Sequence, residues 1–542
     1  MAVQIMEHDS TAGRGLTAPA IPDVTLPECV LGQAERRGTK LALVDAATGH
    51  ELSYAELAAA VREVAAGLAG KGARAGDVLA VCAPNSIEFV VTWYAATSIG
   101  VVVTTVNPQW TSEEIFRQLR QVGARWLVTT TALLAGKRHG SMQDTPIAET
   151  FVIGGPAPDA TPFSSLRLTA ARTGATPAAA GQQAAVSASD PAFMPASSGT
   201  TGLPKIVVLS HRSLVASLCQ TRLVHKVTED DVVIAALPLF HIFGLQISLN
   251  LALLEGATVV ILPRFEAGTF LQAVQDYRAT RAEVVPPMVL ALASGDVTGD
   301  HNLSSLRLLT SGAAPLGTDL ARACARRIGC RVKQAYGMTE LGGGTHIAPD
   351  DGPDRPESIG PALPGVECRV VDTETGTDVG PREPGELLIR AAGAMRGYFG
   401  NPEATEATID SAGWLHTGDI VTMDADGWFC ITDRVKELIK YKGYSVAPAE
   451  LEGILLTHPA VADAAVVRSP DVAAGEVPKA FVVLRAAASA QELMAWVAER
   501  VAPYKRVRLV EFTDSIPKSP SGKILRRLLV GQANDDAHKE ER

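Results

Sequence analysis

The 542-residue chain contains no C-x-x-C pair. Its seven cysteines, Cys29, Cys82, Cys219, Cys324, Cys330, Cys368 and Cys430, are scattered and odd in number. That pattern argues against a disulfide framework and predicts reduced thiols in a cytoplasm. No long Lys/Arg stripe appears, and the formal charge of −10 argues against nucleic acid as a partner. The opening stretch MAVQIMEHDSTAGRG has neither a basic n-region nor an apolar h-region, so it does not read as a secretory signal. Only one uncharged apolar run is long enough to weigh against a membrane span, Phe89 to Val106. Gly100 divides it into a helix-like half and a Val-rich strand-like half, which predicts buried α/β core and no membrane partner. No internal repeat is present.

What is there is ordinary globular composition, 46% hydrophobic and 20% charged, in a chain too long for one core. Two to four domains are expected. Short β-branched runs (Val78–Cys82, Trp126–Thr129, Val232–Leu237, Thr258–Leu262, Leu306–Thr310) alternate with segments of helical period (Tyr54–Gly70, Ser112–Val122, Gly268–Arg278). The alternation predicts an α/β fold with largely parallel sheets. Residues 155–192, rich in Ala, Pro, Thr and Gly, read as surface loops around one weak element. From about residue 366 strands with Gly/Asp/Pro turns take over, which predicts a β-rich subdomain over about 366–435 of an N-terminal domain spanning 1–435. Residues 436–542 read as a small α+β domain whose tail, GQANDDAHKEER, is expected to be disordered.

The stretch that carries chemistry is SSGTTGLPKIVVLS, from Ser197 to Ser210. Glycines let backbone approach a phosphate, and successive N–H groups can cradle its oxygens. Ser197, Ser198, Thr200 and Thr201 add hydroxyls around Gly199 and Gly202, and Lys205 adds a positive charge. No G-K-[ST] ends the stretch, so it is not the Walker pattern. Strand-like residues on both sides predict a hairpin-like loop. An isolated S-G-T-T-G is as readily a solvent loop.

It is not isolated. SSGTTGLPK resembles the signature of the acyl-adenylate-forming superfamily. The chain continues in order with LPLFHIFG (237–244), TSGAAPLG (310–317), QAYGMTE (334–340), GWLHTGD (413–419), DRVKELIKYKG (433–443) and PKSPSGK (517–523). The likeness covers nearly the whole chain and is similar in particular to 4-coumarate–CoA ligases and bacterial aryl-acid ligases. It implies a large adenylation domain of stacked α/β sheets, a mobile C-terminal domain, and ATP, Mg²⁺ and CoA as cofactors. It also implies activation of a carboxylic acid as acyl-AMP, with release of pyrophosphate.

The resemblance assigns roles by position. Lys205 and the hydroxyl loop would hold the pyrophosphate, Thr339 the α-phosphate, and Glu340 the Mg²⁺, an ion that takes oxygen ligands. Asp419 and Arg434 would bind the ribose hydroxyls. Gly312, Ala313 and Ala314 would lie along adenine, with Tyr336 as stacking face and Gln334 and Gly337 beside it. Lys523 would bridge the carboxylate and the α-phosphate in the transition state. Each position also has a plainer reading: a helix cap for Glu340, a structural ion pair for Asp419 and Arg434, a core loop at 312–314, a solvated lysine at 523. Domain rotation about Lys436 would then present Lys440 and Gly443 for acceptor attack, with His241 as gate or, more plainly, as a buried core histidine.

Two positions depart from the family pattern. Ile206 follows the lysine where glycine is usual, and Ser445 stands where plant-type ligases carry glutamine. Neutral drift explains both; the sharper reading is an acceptor other than CoA, such as an amine. The acid pocket is expected from Ile242, Phe243, Ile247, Met288, Leu341, Gly342 and Gly343, with glycines widening an apolar slot for an aryl or arylacryl acid. Three function classes follow: an acid–CoA ligase, an amide bond synthetase using the same adenylate, and an inactive binding module, which the intact charge set disfavours. A luciferase is disfavoured by composition.

Overall fold

The computed structural model describes residues 17–136, 144–167, 185–197, 204–294, 301–434, 437–442, 444–471, 474–519 and 522–540. Two large sheets dominate. The first has eight strands, in the order Gly343–Ile347, Arg331–Met338, Leu308–Ser311, Arg281–Val284, Val232–Ala235, Thr258–Ile261, Leu41–Asp45, Glu51–Ser53. Its interior neighbours are parallel and only its two edges are antiparallel. Strands covered on both faces are apolar nearly throughout, which is why VVIA, TVVI and LLTS read as unbroken runs.

The second sheet has nine strands around a parallel centre of Val78–Cys82, Val102–Thr105, Trp126–Thr130 and Glu149–Ile153. One core joins residues of both sheets, Leu43 and Val81 among them, to helices Tyr54–Gly70 and Ile87–Ser98. The first of these helices starts at Ser53, whose hydroxyl accepts from Glu56 N–H while the Glu56 carboxylate reaches back to the cap. The apolar run beginning at Phe89 divides as expected: a buried helix, Gly100 at φ +74°, then the buried strand Val102–Thr105. No helix among the described residues is long and apolar enough to cross a membrane.

A four-stranded antiparallel sheet follows (Glu367–Val371, Gly385–Arg390, Leu415–Met423, Phe429–Arg434). After it comes a five-stranded sheet built on Val461–Asp471 and Gly475–Leu484. The expectation of a disordered tail is corrected. Arg526–Glu540 is a helix, because Leu529 and Ala533, four apart on one face, pack into a small core with Val467, Phe481 and Ile516. Its first residue, Arg526, is paired with Glu437 and Glu452. All seven cysteines are free thiols.

Candidate active site

A cavity of about 510 Å³ opens at the carboxyl ends of the parallel strands of the first sheet, where the chain turns at Leu237, Val285 and Gly312. Open α/β sheets offer a crevice at this edge. The described parts of the hydroxyl loop form the expected hairpin. Ala196–Ser197 pairs antiparallel with Lys205–Ser210, placing Ser197 opposite Lys205. Ser198, Gly199, Thr200, Thr201 and Gly202 lie outside the described residues. Ile206 takes the opposite face of its strand from Lys205. It is 1% exposed, packed with Val106, Phe116 and Met194. Its stiff side chain suits a strand and faces core, away from the cavity.

Into the same cavity come Thr339 and Glu340 from the turn after Arg331–Met338, and Lys523 from the C-terminal segment. The Lys523 turn is closed by Ser519, whose N–H donates to Lys523 O at 2.8 Å and whose hydroxyl accepts Lys523 N–H at 3.1 Å. Its tip, Gly522, packs on the larger domain: a Cβ there would meet Pro287 at 2.8 Å and Val285 at 3.4 Å. Burial, then the nearby Arg434 charge, push the Lys523 ammonium down to about 8 against the opposing pull of Glu437, Asp419 and Glu340. Among the described residues its side chain makes no hydrogen bond or ion pair.

On one side of the cavity Asp419 sits behind the wall and is 2% exposed. Its two oxygens are each held, one by Tyr336 O–H at 2.6 Å and the other by Arg434 Nε at 2.7 Å. Arg434, Tyr336, Gly312, Ala313 and Gly337 face the cavity. Burial and the neighbouring Asp419 carboxylate hold the Tyr336 phenol well above its usual range, so it remains a donor.

A largely apolar end is formed by His241, Ile242, Phe243, Gly244, Ile247, Gly343, Gly344 and Ile347. A π-helical segment, Gly244–Leu251, supplies Ile247, an irregularity that recurs at functional sites. Its enclosed surroundings, then the Lys523 charge, push His241 down to about 4, leaving a neutral imidazole at physiological pH.

Several expected wall residues stand elsewhere. Met288 and Leu341 are 6% and 1% exposed within hydrophobic cores. The Gln334 amide is used up, accepting from Leu316 N–H at 3.0 Å and donating to Pro356 O at 2.6 Å. Ala314 is also outside the wall. The glycines at 342 and 343 do not widen the slot. A Cβ at Gly342 would meet Gly393 O at 2.6 Å, and one at Gly343 would meet Ser217 Oγ at 2.7 Å. Close packing demands them. Lys440 is exposed on the smaller domain, away from the cavity, and its N–H donates to Glu476 at 2.8 Å. Lys436 and Gly443, and the side chain of Ser445, lie outside the described residues.

One residue beside Lys205 and Glu340 was not foreseen. The Tyr398 O–H donates to Glu340 Oε1 at 2.9 Å, and the Lys205 ammonium lies 4.6 Å from the centre of its ring. Within MRGYFGNPEAT it carries no periodicity or charge signal; only the pairing of its strand with Lys205–Ser210 brings it in.

Comparison with known proteins agrees with this geometry. Residues 31–399 match the AMP-binding enzyme family and residues 450–523 the AMP-binding enzyme C-terminal domain. The chain is 42% identical over 521 residues to 4-coumarate–CoA ligase 5 of Oryza sativa subsp. japonica, covering 94% of each chain. The structure is similar to ATP-bound MatB from Rhodopseudomonas palustris (TM-score 0.85, 28% identity, 95% of this chain and 99% of that one). It is also similar to the amide bond synthetase McbA from Marinactinospora thermotolerans (TM-score 0.80, 25% identity, 93% and 99%). With Ser197, Lys205, Glu340 and Lys523 gathered in one crevice, the chain belongs to the AMP-binding enzyme family, the adenylate-forming acid–CoA ligases.

Proposed function

We propose that the protein joins an aryl or arylacryl carboxylic acid to ATP as the acyl-adenylate, releases pyrophosphate, and passes the acyl group to CoA. The observation that carries this reading is the convergence of Lys523, Lys205 and Glu340 on one cavity whose other end is apolar. A carboxylate attacking a triphosphate brings two anions together, so the protein's work is neutralisation and alignment. Lys523, whose side chain makes no hydrogen bond or ion pair among the described residues, is available to hold the acid's carboxylate and an α-phosphate oxygen as the bond forms. Lys205, with the hydroxyl loop, holds the departing pyrophosphate, and Thr339 borders the α-phosphate. Asp419, anchored by Tyr336 and Arg434, accepts from the ribose hydroxyls. Ile242, Phe243, Ile247 and Ile347 shield the aryl group from water.

The donor set around Glu340 is oxygen-only, with the Ser197 hydroxyl beside the carboxylate and Thr339 adjacent, which suits Mg²⁺. When bound there, Mg²⁺ would supply charge neutralisation at the phosphates. Neutral His241 borders the acid and can accept a proton from the incoming acceptor. Residues 436–542 would form the mobile domain, turning about Lys436 to present Lys440 for the second step. The free thiols support a reducing, cytoplasmic setting.

The test supplies ATP, Mg²⁺ and an aryl-acid panel with CoA or with simple amines, and identifies products by mass. Thioester formed only with CoA is expected. Amide accumulating without CoA would transfer the chain to the amide-forming class, a reading supported by the resemblance to McbA and weakened by the core placement of Ile206.

A further inference from the structure

We propose that Tyr398 is a positioning residue that keeps the cation and the anion of the phosphate end apart and ready for ligand. The inference rests on the nucleotide reading of the cavity given above.

Lys205 and Glu340 face the same cavity and carry opposite charges, Glu340 buried and Lys205 half-buried. Opposite charges in such a place attract strongly. Collapsed onto each other they would be lost to phosphate and cation alike. The structure shows no such ion pair. Tyr398 stands between them and offers a different surface to each. Its ring face takes the Lys205 ammonium at 4.6 Å, an electrostatic contact of cation with quadrupole. Its hydroxyl donates to Glu340 Oε1 at 2.9 Å, and Ser197 O–H donates to the same oxygen at 2.6 Å. Both protein donors use Oε1. Among the described residues Oε2 has no partner and is left for a cation.

The backbone around Tyr398 is built to hold that pose. The strand Gly397–Tyr398 pairs antiparallel with the strand carrying Lys205, Tyr398 opposite Val207. Phe399 N–H donates to Ile206 O at 2.7 Å, so the core-anchored Ile206 also fixes the far side of the tyrosine. Tyr398 N–H donates to Thr405 Oγ1 at 2.9 Å. Gly397, at φ +144°, lets Thr405 come close: a Cβ at 397 would meet that side chain at 2.8 Å. Among uncharged side chains, only a phenol presents both a cation-binding face and a hydroxyl at its far edge; phenylalanine keeps the first and leucine neither.

The experiment measures equilibrium binding of MgATP, of ATP with EDTA, of pyrophosphate and of the aryl acid to the full chain by calorimetry. Wild type is compared with Tyr398→Phe and Tyr398→Leu, and a melting curve is recorded for each. Tyr398→Phe is expected to weaken MgATP about tenfold, the loss of a hydrogen bond to a charged group, with ATP–EDTA and acid binding held within about twofold. Tyr398→Leu should also weaken ATP–EDTA and pyrophosphate, because Lys205 has lost its platform. In turnover KM for ATP should rise more than kcat falls. MgATP binding by Tyr398→Phe equal to wild type overturns the proposal. So does a uniform loss, acid included, with a lowered melting temperature, which marks a purely structural tyrosine. Wild type that binds no MgATP overturns the nucleotide reading itself, a result distinct from either.

Discussion

The two ends of the eight-stranded sheet treat charge in opposite ways. At the amino ends of its strands, His225, Asp231, Arg281, Glu283, Lys333 and Asp350 form a largely buried network of opposite charges in contact. Arg281 donates to Asp350 at 2.8 Å, His225 meets Glu283 at 3.3 Å, and Lys333 is bound to Asp350 and donates to Ala348 O at 2.7 Å. At the carboxyl ends, Lys205, Glu340 and Lys523 face a cavity without pairing with each other. Two lysines make the contrast sharp. Lys333 and Lys523 are both pushed down to about 8, chiefly by burial. Lys333 answers the cost with a carboxylate in contact, Lys523 with carboxylates at a distance. Buried charge set in contact with opposite charge is architecture; charge facing a cavity without such a contact is placed for a ligand.

The comparison can be broken first at Lys523. Lys523→Ala should slow acid-dependent ATP–pyrophosphate exchange about 10²- to 10³-fold, as removing a donor to a developing charge does, while ATP binding and melting temperature stay near wild type. If exchange persists, the two lysines are alike and the contrast fails. Lys333→Met should do the reverse, lowering unfolding free energy by about 3 kcal/mol because Asp350 loses one of its two close cations and keeps only Arg281, with exchange per folded molecule unchanged. Denaturant titration checks it.

Protonation offers a third test. Because Lys523 loses its proton near pH 8, kcat/KM for adenylation should fall as pH rises through about 8, and Lys523→Arg should remove that limb. The sign for stability is opposite. The unfolded lysine keeps its proton up to its ordinary 10.5, so the ligand-free fold gains stability between about pH 8 and 10.5. Ile206→Val, the mildest change, should cost about 1 kcal/mol of stability and leave the acceptor unaltered. A change of product would return Ile206 to the site.

What the sequence made legible was whatever is local or carried by a signature. The helices Tyr54–Gly70 and Ser112–Val122 were readable from their period, and the structure adds the caps that fix their starts: Ser53 with Glu56, Thr111 with Glu114. The hairpin flanking the hydroxyl loop was readable from its strands, and Lys523 from its motif. Wall membership was less readable. Met288 and Leu341 are apolar whether they face core or cavity, and only the third dimension separates the two. The tail was misjudged because its polar composition hides the apolar face at Leu529 and Ala533. Tyr398 was invisible because its partners lie 58 positions before it at Glu340 and farther still at Lys205.

The three consecutive glycines at 342–344 bear on any effort to redesign which acids are taken. The first two are keystones: Gly342 is pressed against the Gly393 carbonyl, and Gly343 sits at φ +141° against the Ser217 hydroxyl. Gly344 is different: the nearest atom to an added Cβ is on Ile347, at an ordinary 3.5 Å. A library aimed at altered selectivity should therefore begin with small side chains at position 344 and leave its two predecessors untouched.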